Sequence, residues 1–377
     1  MKLSCLQENL NRGLAIVGRA VATRTTLPVT QNVLLATDKG RLRLSATNLE
    51  IAITTWIGGK VEEEGAVTVP ARLFTELIGS LPSEQVELSV TQKPLAMHLK
   101  CARFASRING TDADEFPPLP SVEEGVVARI DPAVLRSAIN QVVFAAATEE
   151  SRPVLTGVKV EMKGNEFVLA AADGFRLAVR RATLDEPISD PLEFIVPAKT
   201  LQEVNRLLGD QDESVEITIT PAKSQVLFRL KDVEIISQLI QGTFPNYRQL
   251  IPQSFQTRTV VELQAFQRAA RTASIFARDG SGIVRLQMVP GAEQGAGKLL
   301  VSSRAEELGE NQGEVDAKIE GLEAKIAFNA KYLLDVLGVL ERGEVAMETT
   351  SPSSPGLFKV AGSDTYAHVV MPMFVQW

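Results

Sequence analysis

The stretch VPARLFTELIGSLP at residues 69–82 reads as a strand end running into an amphipathic helix, and the chain writes it again as VPAKTLQEVNRLLG at 196–209. A third, looser version, FNAKYLLDVLGVLE, occupies 328–341, so the copies start at Val69, Val196 and Phe328, at nearly equal intervals. Fixed-period self-similarity of this kind marks a repeated structural unit.

Working outward from it recovers the same order of elements in each third of the chain. Each third opens on a helical pattern: LQENLNRGLAIVGRAVATR (6–24), DPAVLRSAINQVVFAAAT (131–148) and LQAFQRAARTASIFAR (263–278). In the second, Asp131 stands at the N-cap and Pro132 at the first helical position. Alternating runs such as RLRLSATNLEIAIT (41–54) and VKVEM (158–162) follow, with the period of half-buried strands. The opening unit comes next. Further alternating strands complete each copy, VELSV (86–90), VEITIT (215–220) with VLFRL (226–230), and VAMETT (345–350) with LFKVAG (357–362). A proline closes each copy, and Pro117, Pro245 and Pro372 keep the spacing of the helix unit.

The pattern predicts three domains, 1–120, 128–252 and 256–377, joined by the polar linkers 121–127 and 253–259. Each has two helices and roughly six to eight strands, an α+β unit with its helices on one face of an antiparallel sheet.

Composition narrows the function classes. A hydrophobic content of 45% and a charged content of 23% are those of a globular protein. Two cysteines, Cys5 and Cys101, and two histidines, His98 and His368, are too few for a disulfide framework or a His/Cys metal centre, and no cofactor is implied. Charged and polar residues interrupt any signal-peptide core near the N-terminus, and no run approaches the ~20 apolar residues of a membrane span, so the chain reads as cytoplasmic. The Asn109 sequon is a chance match on that reading.

Catalytic motifs are absent or imperfect. GAEQGAGK (291–298) has five residues between its first Gly and Gly-Lys where a phosphate loop has four, and Leu299 follows in place of Ser or Thr, so a hairpin loop is expected. In AADGFRLAV (171–179), Asp173 and Gly174 fit a type I′ hairpin turn, with Phe175, Arg176 and Leu177 beside it. The only two histidines, His98 and His368, stand far apart in the sequence, which leaves a Ser-His or Cys-His pair little material. The acidic cluster Glu306, Glu307, Glu310 reads as a solvated or partner-facing patch.

Charge distribution says more. Six helical segments (7–24, 71–82, 132–148, 198–208, 263–278 and 330–342) carry +7 between them on a chain whose net charge is −7, leaving −14 on the rest. That asymmetry points to one basic surface facing something negative.

Together, RTTLPVTQNVLL (24–35), TVPARLF, ADGFRLAV, FPNYRQLIP, FNAKYLLDVL and VVMPM, in this order along the whole chain, resemble the bacterial sliding clamps, the β subunits of DNA polymerase III. The resemblance implies a non-enzymatic processivity factor: a ring-shaped homodimer of three tandem clamp domains per chain, helices lining the hole and sheets forming the wall around duplex DNA. A ring held by topology needs only weak, sequence-neutral phosphate contacts, which reconciles the net negative charge with DNA binding.

Carried over, Arg24, Arg72 and Lys199 face DNA; Glu149, Pro153 and Val154 depart from the family pattern, and Arg152 remains as a phosphate partner there. A partner-peptide groove between the second and third copies would be lined by Val154, Leu155, Ala172, Gly174, Phe175, Arg176, Leu177, Pro245, Gln249 and Leu250. The third copy would add Asn329, Tyr332, Val369, Val370, Met371, Pro372, Met373 and Phe374. The tail extends to FVQW, so Trp377 covers or lengthens the groove. Implied occupants are the DNA polymerase III catalytic subunit, the clamp loader, translesion polymerases, mismatch-repair proteins and DNA ligase.

Dimerisation would set Arg103, Phe104 and Arg107 of one chain against Ile275, Phe276, Glu306, Glu307 and Glu310 of another, an apolar centre with complementary charge. Two rivals remain at this point: a clamp paralogue that keeps the groove for another role, and an enzyme built on triplicated domains.

Overall fold

The computed structural model describes residues 1–377 except 123, 150, 210, 279, 293 and 294. In the first copy β1 (Lys2–Leu6) leads into α1 (Gln7–Val17), followed by β2 (Asn32–Asp38), β3 (Arg41–Thr47), β4 (Ile51–Ile57), β5 (Lys60–Glu63) and β6 (Ala66–Pro70). Then come α2 (Ala71–Ser80), β7 (Gln85–Gln92), β8 (Leu95–Cys101) and β9 (Phe104–Asn109). The second copy runs β10 (Val126–Ile130), α3 (Pro132–Val142), β11 (Gly157–Ala172), β12 (Arg176–Pro197), α4 (Ala198–Leu207), β13 (Val215–Ile219), β14 (Gln225–Arg229) and β15 (Val233–Gln238). The third opens with β16 (Thr257–Glu262), α5 (Leu263–Arg278), β17 (Ile283–Pro290), β18 (Gly295–Ala305), β19 (Gly309–Gly321) and β20 (Ala324–Asn329). It closes with α6 (Ala330–Val339), β21 (Glu344–Thr349), β22 (Gly356–Val360) and β23 (Tyr366–Val370).

The helices form where the apolar spacing asks for them. In α1, Leu10, Leu14 and Val17 are buried; α2 buries Phe74 and Ile78, and α6 buries Leu333, Val336 and Leu337, all on i, i+3, i+4 stripes. Two are shorter than the sequence pattern predicts. α1 gives way at Gly18, a poor helix former, to a 3-10 turn over Gly18–Ala20, and α3 is followed by one over Val143–Ala145. The phosphate-loop lookalike joins β17 to β18; Glu293 and Gln294 within it, and Glu123 in the first linker, lie outside the described residues.

The Asp173-Gly174 expectation needs correction. Only Gly174 has a positive φ (+95°). The Asp173 amide donates to the Arg176 carbonyl, so the two-residue loop is Gly174-Phe175, with the pattern of a type II′ turn rather than type I′. Asp173 closes it as an Asx turn, its Oδ1 accepting from the amides of Phe175 (2.9 Å) and Arg176 (3.0 Å). The first copy repeats the device: Asn48 Oδ1 accepts from Glu50 and Ile51, and Leu49 takes the positive φ of 77°.

The chain forms two compact units. One comprises Met1–Pro132, Leu184–Ile188 and Lys199–Leu239; the other comprises Ala133–Thr183, Ser189–Ala198 and Ile240–Trp377. The second copy is divided because each of its sheets is continuous with a neighbour's. In the first unit, β15 of copy two pairs antiparallel with β4 of copy one, Val233 opposite Thr55 and Ile235 opposite Ile53, completing an eight-stranded sheet in the order β10-β13-β14-β15-β4-β3-β2-β6. In the second unit, β23 of copy three pairs with β12 of copy two, Arg176 opposite Val370 through Arg180 opposite Tyr366. That pairing extends a sheet of ten strands, β11-β12-β23-β22-β21-β16-β19-β18-β17-β20. The same rule operates twice: the last strand of one copy joins the second strand of the preceding copy's central hairpin.

Two edges escape the rule. Among the described residues β9, the last strand of copy one, pairs only with β8, at the end of the five-stranded sheet β5-β1-β7-β8-β9. β19 pairs with β18 along its length but with β16 only from Ala317 to Gly321, so its stretch 309–316 presents an open edge.

Gly321 shows how tightly β19 ends. Its φ is +107°, and an added Cβ would lie 2.0 Å from the Gln256 carbonyl oxygen. Gly338, on α6, has open space around it. Gly321→Ala is therefore expected to cost about 1–3 kcal/mol and Gly338→Ala to gain about 0.5–1 kcal/mol in urea unfolding; equal effects would contradict the assignment of strain.

Candidate functional site

The proposed groove lies wholly in the second unit, and it is built on the β12–β23 seam. One buried apolar cluster contains Leu155, Ala172, Leu177 and Val369 together with Val168, Val179, Ile195, Phe244, Tyr247, Leu357 and Ala367, and Val154 packs against it. Of the expected lining residues, these form a floor. Above them stands an exposed apolar rim: Phe175 is 58% exposed, Leu250 53%, Met371 43%, Met373 38% and Phe374 85%. Pro245 and Gln249 are also exposed, Pro372 is half-buried, and Val370 is buried outside the floor cluster. A floor of branched aliphatics under an aromatic and methionine rim is a surface suited to an apolar side chain.

Arg176 has a different part. It is 7% exposed. Its guanidinium donates to Asp173 Oδ2 (3.0 Å), Asp335 Oδ2 (2.5 Å) and the Phe144 carbonyl (2.8 Å), and lies 4.5 Å from the Tyr332 ring centroid and 5.3 Å from that of Phe144. With these donors taken, Arg176 pins β12 to α6 beneath the rim. Burial works against the Asp335 carboxylate, but hydrogen bonds from Lys331 and Arg176 hold its pKa below the ordinary value. Asn329 is likewise structural, capping α6 by accepting from the Lys331 and Tyr332 amides. Tyr332 stacks on Phe175 at 6.5 Å.

A second anchor, not foreseen from sequence, fixes the turn that carries Gln249 and Leu250. Glu161 Oε2 accepts from Tyr247 Oη (2.9 Å) and Arg248 (2.5 Å), while Lys159 reaches Glu161 Oε1 at 2.8 Å. Burial opposes the Glu161 charge, yet the Lys159 and Tyr247 hydrogen bonds bring its pKa down. The available signal was VKVEM, where period two puts Lys159 and Glu161 on one face. Asp335 and Phe144, the partners of Arg176, had no such signal.

Beside the rim is a cavity of about 350 Å³ bounded among others by Phe144, Arg152, Asp173, Phe175, Lys331 and Tyr332. Arg152 lies so close to Gly174 that a Cβ there would meet its Nη1 at 2.9 Å. Of the other cations expected at DNA, Arg24, Arg72 and Lys199 are exposed in the first unit; Arg72 is paired with Glu76 (2.9 Å), and Lys199 has no ion pair among the described residues.

The expected dimer residues fall at the two open edges. Arg103, Phe104 (55% exposed) and Arg107 lie on or beside β9; Glu306 and Glu307 are in the turn before β19 and Glu310 is on it, with Ile275 (56% exposed) and the half-buried Phe276 on α5.

His368 is strongly altered by this architecture. It is fully buried on β23, stacked on Phe144 at 5.5 Å, with Nδ1 3.1 Å from Tyr366 Oη. Burial, and then the neighbouring Arg176 charge, bring its pKa down to about 3. The unfolded chain takes up this proton below the ordinary value of 6.5 and the folded chain does not. Stability is therefore full above pH 6.5 and falls as pH drops toward 3, with a limiting slope of about 1.4 kcal/mol per pH unit. In urea unfolding between pH 7.5 and pH 5, His368→Gln is expected to lose this slope; an unchanged slope would contradict a neutral buried imidazole.

Family models of the DNA polymerase III β subunit match the chain throughout: the N-terminal domain over residues 1–120, the central domain over 129–246 and the C-terminal domain over 248–374. The β sliding clamp of Bacillus subtilis is 33% identical over 383 residues, covering 99% of each chain. Among solved structures, the Bacillus subtilis sliding clamp superposes with a TM-score of 0.94 at 32% identity over 100% of both chains. A Pseudomonas aeruginosa clamp bound to griselimycin superposes at 0.89 with 30% identity and the same coverage.

Proposed function

Since the chain belongs to the DNA polymerase III β-subunit family, a family of non-catalytic sliding clamps, we propose that it closes as a head-to-tail homodimer around duplex DNA and tethers polymerases and repair proteins through the groove on the β12–β23 seam. The observation that carries this reading is the pairing rule and its two exceptions. Copy two gives its last strand to copy one, and copy three gives its last strand to copy two. Copy one has a last strand, β9, with a free outer edge, and copy three has an acceptor, β19 at 309–316, with a free edge of its own. Unpaired edge groups invite such augmentation. Joining β9 of each chain to β19 of the other pairs these two edges and closes after two copies.

Charge supports the same contact. Arg103 and Arg107 on the donor side would meet Glu306, Glu307 and Glu310, while Phe104 and Ile275 supply exposed apolar surface for its centre. The three repeats, taken as 1–120, 128–252 and 256–377, then make half of a six-domain ring. Arg24, Arg72, Arg152 and Lys199 are the proposed phosphate contacts. Because Arg72 shares its charge with Glu76, the hold on DNA is weak and permits sliding. The floor and rim described above would receive short apolar segments from the DNA polymerase III catalytic subunit, the clamp loader, translesion polymerases, mismatch-repair proteins and DNA ligase, in cells where replication takes place.

The test is topological. Loaded by its clamp loader, the protein is expected to remain on closed circular DNA and to leave when the circle is cut, and Phe104→Asp with Ile275→Asp should shorten retention on the closed circle. Equal retention on cut and closed DNA would refute the encircling reading, and unchanged retention of the double variant would refute the interface.

A further inference from the structure

β23 ends at Val370, and the chain continues through Met371–Trp377. Four of those seven residues expose large apolar side chains, Met371, Met373, Phe374 and Trp377. An exposed apolar segment beyond the last strand frays unless it is tied down. Two main-chain hydrogen bonds begin the job: the Met371 amide donates to the Phe175 carbonyl (2.8 Å) and the Met373 amide to the Ala327 carbonyl (2.7 Å). Ala327 lies on β20, which ends the ten-stranded sheet and among the described residues pairs only with β17, so the tail lies along an otherwise open edge. At its far end, Lys325 of the same strand places its ammonium 5.7 Å from the Trp377 ring centroid. Lys325 has no ion pair among the described residues. The ring is its charge partner.

We infer that Trp377 is a positioning residue that latches the tail to β20 through Lys325, holding Met371, Met373 and Phe374 as one wall of the peptide groove. The inference rests on the groove reading given above. Its physical content is that one residue past the rim side chains sets how much of the time the rim is assembled. When the latch opens, the Met373 hydrogen bond is left alone to hold four further residues, and the outer edge of β20 is exposed to other chains. A cation over an exposed ring is worth enough to change the occupancy of the closed tail about two- to five-fold. Arginine serves as well as lysine in this role, because the contact is to the ring face and not to a carboxylate.

The chain has two tryptophans, Trp56 and Trp377, so Trp56→Phe leaves Trp377 as the sole indole in the full-length protein. In that background Lys325→Ala is expected to shift Trp377 emission to the red and to raise its quenching by acrylamide, and Lys325→Arg to restore both. Titrated with a synthetic peptide copying the C-terminal tail of the cognate polymerase III catalytic subunit, Lys325→Ala and Trp377→Ala should each bind about two- to five-fold more weakly. The double variant should bind no more weakly than either alone. Emission that ignores Lys325→Ala, or single effects that simply add, would overturn the latch. A parent protein that fails to bind the peptide while Trp377 still answers to Lys325→Ala would overturn the groove reading instead, and with it the role of the latch in binding.

Discussion

A β-strand at the edge of a sheet carries a row of amide and carbonyl groups that must go to water or to another strand. In this protein the final strands of the second and third repeats resolve that constraint outside their own repeats. β15 bonds to β4 and β23 bonds to β12, each antiparallel and over five paired positions. The repeats are thereby joined by sheet hydrogen bonds and not only by linkers. It is also why the compact units cut through the second repeat: each of its sheets continues into a neighbouring repeat.

The groove is a product of one such seam. Where β12 meets β23, the floor residues of both strands merge into one apolar cluster, and the Asx turn at Asp173 lifts Phe175 out of it. Arg176 then ties the turn to α6 through Asp335, and Glu161 ties down the 247–250 turn on the other flank. An unpaired buried charge at either anchor would cost about 3–5 kcal/mol, so neither flank is free to drift. A rigid base with an adaptable, methionine-bearing rim suits the proposed reception of several different peptides.

Much of this was legible in the sequence because it is local. Repeat order, the six helices and the alternating strands follow from apolar spacing, and ADGFRLAV and VVMPM mark the groove by resemblance. What escaped was non-local. Periodicity cannot say that β15 pairs with β4, since the two strands are separated by about half the chain and carry no shared pattern. It cannot distinguish an arginine that greets a ligand from one that is buried and spent on Asp173, Asp335 and Phe144, as Arg176 is. The Asp-Gly pair was read as its own turn, but Asp173 acts one position earlier as the turn's side-chain acceptor, a role that Asn48 fills identically in a repeat whose own turn has no Asp-Gly.

Closure of two chains requires that the free edges of β9 and β19 find each other. The most direct measurement is the solution mass and scattering profile of the purified chain. Edge-to-edge closure predicts a particle of twice the chain's 40.9 kDa, whose pair-distance distribution carries the dip of a central hole wide enough for duplex DNA. A particle that stays at 40.9 kDa, or one that grows with concentration past two chains, would contradict it.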